Sequence, residues 1–184
     1  MSLAELSKCT RDLDLIFSIC PLFSNQSGTI SFSAVDVGSV WLTFIVGGVA
    51  AVGILKLVAE LVDKAIIIRS HQLSAKEQEE RIRTLKLGND VLEQSAAVYK
   101  NIGKELLNQT ARDLAEEHDI NNPEDFERLK TTIQLLSDWM TKGLEVHASI
   151  QAPPEVKAVF PPIEKQALPE AFTALLTDGN NISE

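Results

Sequence analysis

The sequence predicts an all-α protein with one transmembrane helix near its N-terminus. Aromatic residues make up only 5% of the 184 residues, and the chain is rich in Leu, Ala, Glu and Lys. These residues favour helices, whereas strands favour aromatic and β-branched residues. A run of nineteen residues without a charge, from Val37 to Leu55, predicts the membrane segment.

Residues 1–36 are predicted to form an N-terminal tail with a short amphipathic helix. Leu13, Ile16 and Cys20 recur at helical spacing, and Pro21 is expected to end the helix. The residues that follow are rich in Ser and Gly and predict a loop or a short strand. Cys9 and Cys20 would form a disulfide on the exposed side of a membrane or remain free thiols in a reducing compartment.

The run from Val37 to Leu55 predicts a helix of about 28 Å. This length is close to the hydrocarbon thickness of a bilayer, roughly 30 Å. The predicted helix continues to about residue 70. The residues assigned to the membrane span are Val37, Trp41, Phe44, Ile45, Val49 and Leu55.

Small residues within the same run predict a helix–helix contact. Gly47, Gly48 and Ala51 would leave one face of the helix nearly bare, so that a second backbone could approach closely. Unremarkable span composition is the alternative explanation.

The predicted topology follows from the basic residues that flank the span. Residues 17–36 contain no Lys or Arg, whereas Lys56, Lys64 and Arg69 follow the span. Basic residues favour the cytoplasmic side, which predicts a single-pass protein with its N-terminus outside and its C-terminus in the cytoplasm.

Residues 74–150 are predicted to form a helical hairpin. Ser74 and Glu77 have the spacing of a capping box and predict a helix start near residue 75, and Asn122 and Pro123 predict a second start. Apolar residues recur at a rough heptad spacing in both helices and predict faces for partner helices. These residues are Ile82, Leu85, Leu92, Tyr99, Leu106, Phe126, Leu129, Ile133, Leu136, Trp139 and Met140.

Residues 151–184 are predicted to form a proline-rich, extended C-terminal arm. Five prolines fall between Pro153 and Pro169, and proline interrupts helices and favours extended chain. An arm that wraps a partner and a loosely ordered tail both fit this composition.

The charge distribution and the motifs exclude several function classes. Of the net charge of −9, residues 111–184 carry −8, which disfavours nucleic-acid binding because phosphates are repelled. The sequence has no nucleotide-binding motif, no catalytic elbow and no metal-ligand spacing. It therefore predicts no enzyme activity, no cofactor, no metal and no small-molecule substrate.

The preferred prediction is a non-enzymatic, membrane-anchored helical subunit of a homo- or hetero-oligomeric complex, such as a pore component, an envelope or secretion scaffold, or a membrane effector. Its predicted partners are a lipid bilayer and other protein subunits. The alternative is an initially soluble oligomer, such as a toxin component or a phage ejection protein, that shields residues 37–55 and inserts later. In a third possibility, a lipid-free structural oligomer keeps this segment as its core.

Overall fold

The computed structural model is mostly helical, which confirms the predicted helical class. It describes residues 3–24, 26, 29–36, 41–47, 50–84, 89–149 and 152–166. The helices of these residues are α1 (Leu3–Ile19), α2 (Pro21–Ser24), α3 (Ala51–Thr84), α4 (Asn89–Glu117), α5 (Pro123–Met140), α6 (Pro154–Lys157) and α7 (Ile163–Gln166), and the strands are β1 (Thr29–Asp36) and β2 (Trp41–Gly47).

The core lies where α3, α4 and α5 pack together. The wide apolar face of α3 points inward, and Leu61 and Ala65 are almost completely buried. Leu114 of α4 and Ile133 of α5 are equally inaccessible. Burial of apolar side chains is the main favourable term in folding, so these three helices form the stable centre of the molecule.

The predicted continuous helix across Val37–Leu55 is wrong. Trp41–Gly47 forms β2, which pairs antiparallel with β1, and α3 begins only at Ala51. Residues 41–46 are mostly β-branched or aromatic and therefore suit a strand, and a glycine at position 47 would weaken a helix by about 1 kcal/mol. No helix in the described part of the chain is both long and apolar enough to cross a bilayer.

The strand pair is anchored to the core near the end of β2. The pairing runs from Thr29 opposite Gly47 to Asp36 opposite Trp41, with an irregularity between Phe32 and Ala34. Ile30 and Val46 face each other across the strands and are half-buried against the core. A two-stranded hairpin is marginal by itself, so this packing helps to hold it.

Helix α3 runs without a break through the predicted capping box at Ser74–Glu77. The predicted helix start near residue 75 is therefore wrong. Leu73 is still buried, so the packed face continues across this point. Glu77 forms an ion pair with Arg81 one turn later, an arrangement that supports a continuing helix.

The predicted start of α5 is confirmed. Asn122 caps the helix, because its side-chain oxygen accepts a hydrogen bond of 3.0 Å from the Glu124 N–H, and Pro123 is the first helical residue. Asp119 has a φ of 54°, the left-handed conformation common after helix ends. The resulting short turn makes α4 and α5 antiparallel neighbours.

The N-terminal helix α1 packs on α5. Cys9, Leu13, Ile16 and Cys20 are buried along one side of this segment. The Trp139 indole N–H donates a hydrogen bond of 2.9 Å to Asp12 Oδ2 and so joins α5 to α1.

Both cysteines are free thiols. Cys9 and Cys20 are eleven positions apart in a mostly helical segment, so they are separated by about 16 Å along the helix axis. This distance is too long for a disulfide. Burial is the main reason that the pKa of each thiol rises to about 11, since the thiolate is poorly solvated there.

Residues 152–166 of the proline-rich arm fold back onto the bundle. Val156 and Gln166 are buried, and the Gln166 amide donates hydrogen bonds to the carbonyls of Val146 and Pro161 at 2.9 and 3.0 Å. Its oxygen accepts from the Val146 N–H at 2.8 Å, and Arg69 donates to the Gln166 carbonyl. This part of the arm therefore contacts its own chain, while residues 167–184 lie outside the described residues.

Candidate functional site

An open groove lies between the second half of α3 and the first half of α4. Its volume is about 610 Å³. At one end it is closed by the last turn of α5 and the following residues, including Asp138, Thr141 and Lys142. We refer to this cavity as the α3–α4 groove.

The groove exists because α5 is shorter than its two neighbours. The last turn of α5 lies level with Gln72 of α3, since Gln72 contacts both Asp138 and Thr141. Helix α3 continues for twelve residues beyond Gln72, which is about 18 Å. Over this length the two longer helices have no third helix beside them among the described residues.

The floor of the groove is apolar, and small side chains alternate with larger ones on it. Its apolar residues are Ile68, Ala75 and Ile82 of α3 and Leu92, Ala96 and Leu107 of α4. The three α3 residues are seven apart and therefore share one face of the helix. The alanines leave space between the larger side chains, so the floor can accept the side chains of a bound segment.

His71 and Gly103 bring the two walls close together. The His71 Nε2 atom lies 3.1 Å from the Tyr99 carbonyl oxygen. Because a carbonyl oxygen only accepts, Nε2 donates this hydrogen bond. A Cβ atom at position 103 would lie 3.2 Å from two atoms of the same ring. Glycine at this position therefore permits the close approach of α4 to His71.

A polar network forms the closed end of the groove. Asp138 Oδ1 accepts hydrogen bonds from the side-chain amides of Gln72 and Gln134, both at 2.7 Å. The Thr141 hydroxyl donates to Gln72 Oε1 at 2.7 Å. Oδ1 of Asp138 accepts both amide hydrogen bonds, which hold the carboxylate in place where the groove ends.

Four lysines line the groove. They are Lys76 of α3, Lys100 and Lys104 of α4, and Lys142 after α5. The Lys142 ammonium lies 4.3 Å from the centre of the Trp139 ring system, a cation–π contact. The remaining three are exposed on the two walls.

The predicted membrane-span residues that the structure describes are divided between a strand and a helix. Trp41, Phe44 and Ile45 lie in β2 and Leu55 lies in α3, while Val37 and Val49 are outside the described residues.

The three residues of the predicted helix–helix contact do not lie in one helix. Gly47 ends β2 and is not helical, and Ala51 begins α3. Gly48 lies outside the described residues. The three small residues therefore do not form one helical face.

The predicted partner-facing residues occupy three environments. Ile82, Leu92 and Tyr99 line the groove, and Leu106 and Phe126 are half-buried against the core. The five residues that are buried within the core of this chain are Leu129, Ile133, Leu136, Trp139 and Met140. Leu85 lies outside the described residues.

The groove lysines were not predicted from the sequence. A local signal was present, because Lys100 and Lys104 are four residues apart and have no acidic residue three or four positions away. A solvent-exposed helix often has such acidic partners.

Among the described residues, no group of three or more His, Cys, Asp or Glu residues could hold a metal ion.

Comparison with known proteins finds a relative in Bacillus subtilis. The chain is similar to the uncharacterized protein YqaP of Bacillus subtilis strain 168, with 27% identity over 189 residues. The match covers 100% of this chain and 60% of YqaP, so the chain spans about three-fifths of the length of this relative. No protein-family model matches the chain, and no solved structure matches it.

Proposed function

We propose that this protein is a non-enzymatic helical subunit that joins an oligomeric complex by holding a helix of a protein partner in the α3–α4 groove. The observation that supports the proposal most strongly is the early end of α5. Beyond Gln72, α3 and α4 continue as a pair with an apolar face between them. A partner helix would complete a three-helix arrangement in line with α5.

The dimensions of the groove suit a short helix. From Gln72 to Ile82 the α3 wall rises by about 15 Å, the length of a helix of about 10 residues. Helices that bind in grooves place apolar residues three, four and seven positions apart against the floor. The alternation of large and small residues on this floor provides sites for such side chains.

A peptide titration tests this function directly. The probe is a fluorescent helical peptide of about 14 residues with leucines at the i, i+3, i+4 and i+7 positions and uncharged residues elsewhere. Its fluorescence anisotropy is measured against the full chain. We expect saturable binding.

Two tryptophan variants locate the binding surface. Ala96→Trp fills the floor and should weaken peptide binding at least about ten-fold, because the bound helix would overlap the indole. Val98→Trp is the matched control, since Val98 is 55% exposed and is not among the residues that line the groove. Equal effects of the two variants, or no binding of the peptide, would refute the proposal. A dimer in light scattering that only Ala96→Trp dissociates would identify a second copy as the occupant.

The lipid bilayer remains a separate predicted partner. This prediction rests on the apolar composition of residues 37–55. The predicted topology with an external N-terminus rests on the basic residues that follow them. Carbonate extraction of cell membranes tests it, because an integral anchor resists extraction while a peripheral protein is released.

A further inference from the structure

We infer that the helix bound in the α3–α4 groove is acidic and carries carboxylates along both of its edges. This inference rests on the proposed function and adds the chemistry of the partner. It is supported by the cluster of lysines that lines the groove and by their lack of acidic partners among the described residues.

Basic residues just outside the groove are neutralised within their own helix. Arg81 pairs with Glu77 at 2.6 Å, and Arg83 pairs with Glu79 and Glu80 at 2.7 and 2.9 Å. Helix α5 follows the same pattern, since Arg128 and Lys130 pair with acidic residues one turn away. These four basic residues are therefore neutralised by neighbours in their own helix.

The lysines on the groove walls have no such acidic partners among the residues that the structure describes. Lys76, Lys100 and Lys104 form no ion pair with any residue in the described part of the chain. Lys100 and Lys104 also repel each other, because like charges four residues apart destabilise a helix. In a chain with a net charge of −9, this local concentration of positive charge is selective for an anionic partner.

The acidic groups within the groove are already occupied. Glu79 pairs with Arg83, and Asp138 accepts hydrogen bonds from Gln72 and Gln134. They leave the lysines available to an external carboxylate.

The positions of the lysines suggest a pattern on the partner helix. Lys100 and Lys104 are one turn apart on the α4 wall, and Lys76 lies on the opposite wall. A bound helix with acidic residues at i and i+4 on one edge would meet the first two lysines. An acidic residue on its other edge would meet Lys76, while its apolar face covers the floor.

Charged versions of the peptide probe test the inference. Two peptides share one leucine face, and their edges carry either glutamate or lysine. In about 50 mM salt we expect the glutamate peptide to bind the full chain at least about ten-fold more tightly than the lysine peptide. Raising the salt to about 500 mM should reduce this preference several-fold, because the screening length falls from about 14 Å to about 4 Å.

A charge-matched pair of variants provides the control. Lys100→Gln with Lys104→Gln should weaken binding of the glutamate peptide about ten-fold and leave binding of the uncharged peptide nearly unchanged. Lys56→Gln with Lys165→Gln removes the same charge from exposed positions outside the groove and should change neither affinity.

The outcomes separate this inference from the proposed function. Equal binding of the glutamate and lysine peptides would refute the acidic partner while the groove remains a helix site. Failure of every peptide, including the uncharged one, would refute both. Tight binding of a single-stranded oligonucleotide that requires Lys100 and Lys104, without a preference for the glutamate peptide, would assign the lysines to phosphate and overturn the inference.

Discussion

The His71 ring occupies the space that a side chain at position 103 would need. The ring is held by its hydrogen bond to the Tyr99 carbonyl, and a Cβ on residue 103 would lie 3.2 Å from both Cδ2 and Nε2. Glycine in the interior of α4 costs about 1 kcal/mol relative to alanine. The chain accepts this cost where His71 of α3 and Gly103 of α4 approach each other near the closed end of the groove.

A double-mutant cycle tests this relationship. Gly103→Ala alone should change the free energy of unfolding by less than about 1 kcal/mol, because the gain in helix propensity is offset by displacement of the ring. In a His71→Ala background the same change should stabilise the chain by about 1 kcal/mol. Urea denaturation measures both values, and equal effects in the two backgrounds would contradict the contact.

The polar network at the closed end of the groove should contribute to stability. Gln72→Leu removes one donor to Asp138 and the acceptor of Thr141, which should lower the free energy of unfolding by about 1–2 kcal/mol. The control is Gln109→Leu, since Gln109 also donates to an aspartate, Asp113, but on an exposed surface. Its effect in the same thermal or urea melts should stay within about 0.5 kcal/mol. Similar losses for the two variants would argue against the network.

The hydrogen bond between Trp139 and Asp12 should couple α5 to α1. Trp139→Phe and Asp12→Ala should each destabilise the chain, and the double variant should lose less than the sum of the two. The expected coupling energy is about 1–2 kcal/mol, because the acceptor is a carboxylate. Strict additivity in urea denaturation would show that the bond contributes nothing.

The buried thiols should make stability sensitive to alkaline pH. Their pKa is raised from 9.0 to about 11 in the folded chain, so folding favours the protonated form. This stabilisation is complete below pH 9 and is lost as the pH rises through about 11.

A cysteine-free variant isolates this effect from the titration of lysines and tyrosine. The difference in unfolding free energy between the wild type and Cys9→Ala with Cys20→Ala should shrink by about 2 kcal/mol or more between pH 8.5 and 11. A difference that stays constant over this range would show that the thiols are accessible to solvent in the folded chain.

Gln166 should control the attachment of the C-terminal arm. Gln166→Ala leaves three backbone groups of Val146 and Pro161 without their side-chain partner, and unsatisfied buried groups cost about 1–3 kcal/mol each. Limited proteolysis should therefore cut residues 152–166 at least about ten-fold faster in this variant. Lys165→Ala, one exposed position earlier, should be cut at the wild-type rate.

Features that depend on neighbouring residues were predictable from the sequence. The start of α5 is one example, because the cap by Asn122 and the proline at the first helical position act within a few residues. The continuation of the helix to about residue 70 is another example, since α3 runs through this position and buries Val58 and Leu61 in the core. Local signals, namely capping residues and apolar spacing, were sufficient for these assignments.

Features that depend on distant pairing were not predictable. A short apolar segment such as Trp41–Gly47 fits a buried strand or a helix equally well by periodicity, and the pairing of Trp41 with Asp36 decides in favour of the strand. The groove depends on where α5 ends relative to α3, which is set by tertiary packing. The sequence showed the lysines of α4 but not the open cavity beside them.

Helix α3 has a consequence for how this protein can be divided. It is a single helix of 34 residues, about 51 Å long. Its first half supplies much of the core, and its second half is one wall of the groove. Because the same helix serves both regions, the groove cannot be cut away from the core as an independent module. Fragments that end within α3 would lose the support of one region or the other, so transplanting the groove requires the whole bundle.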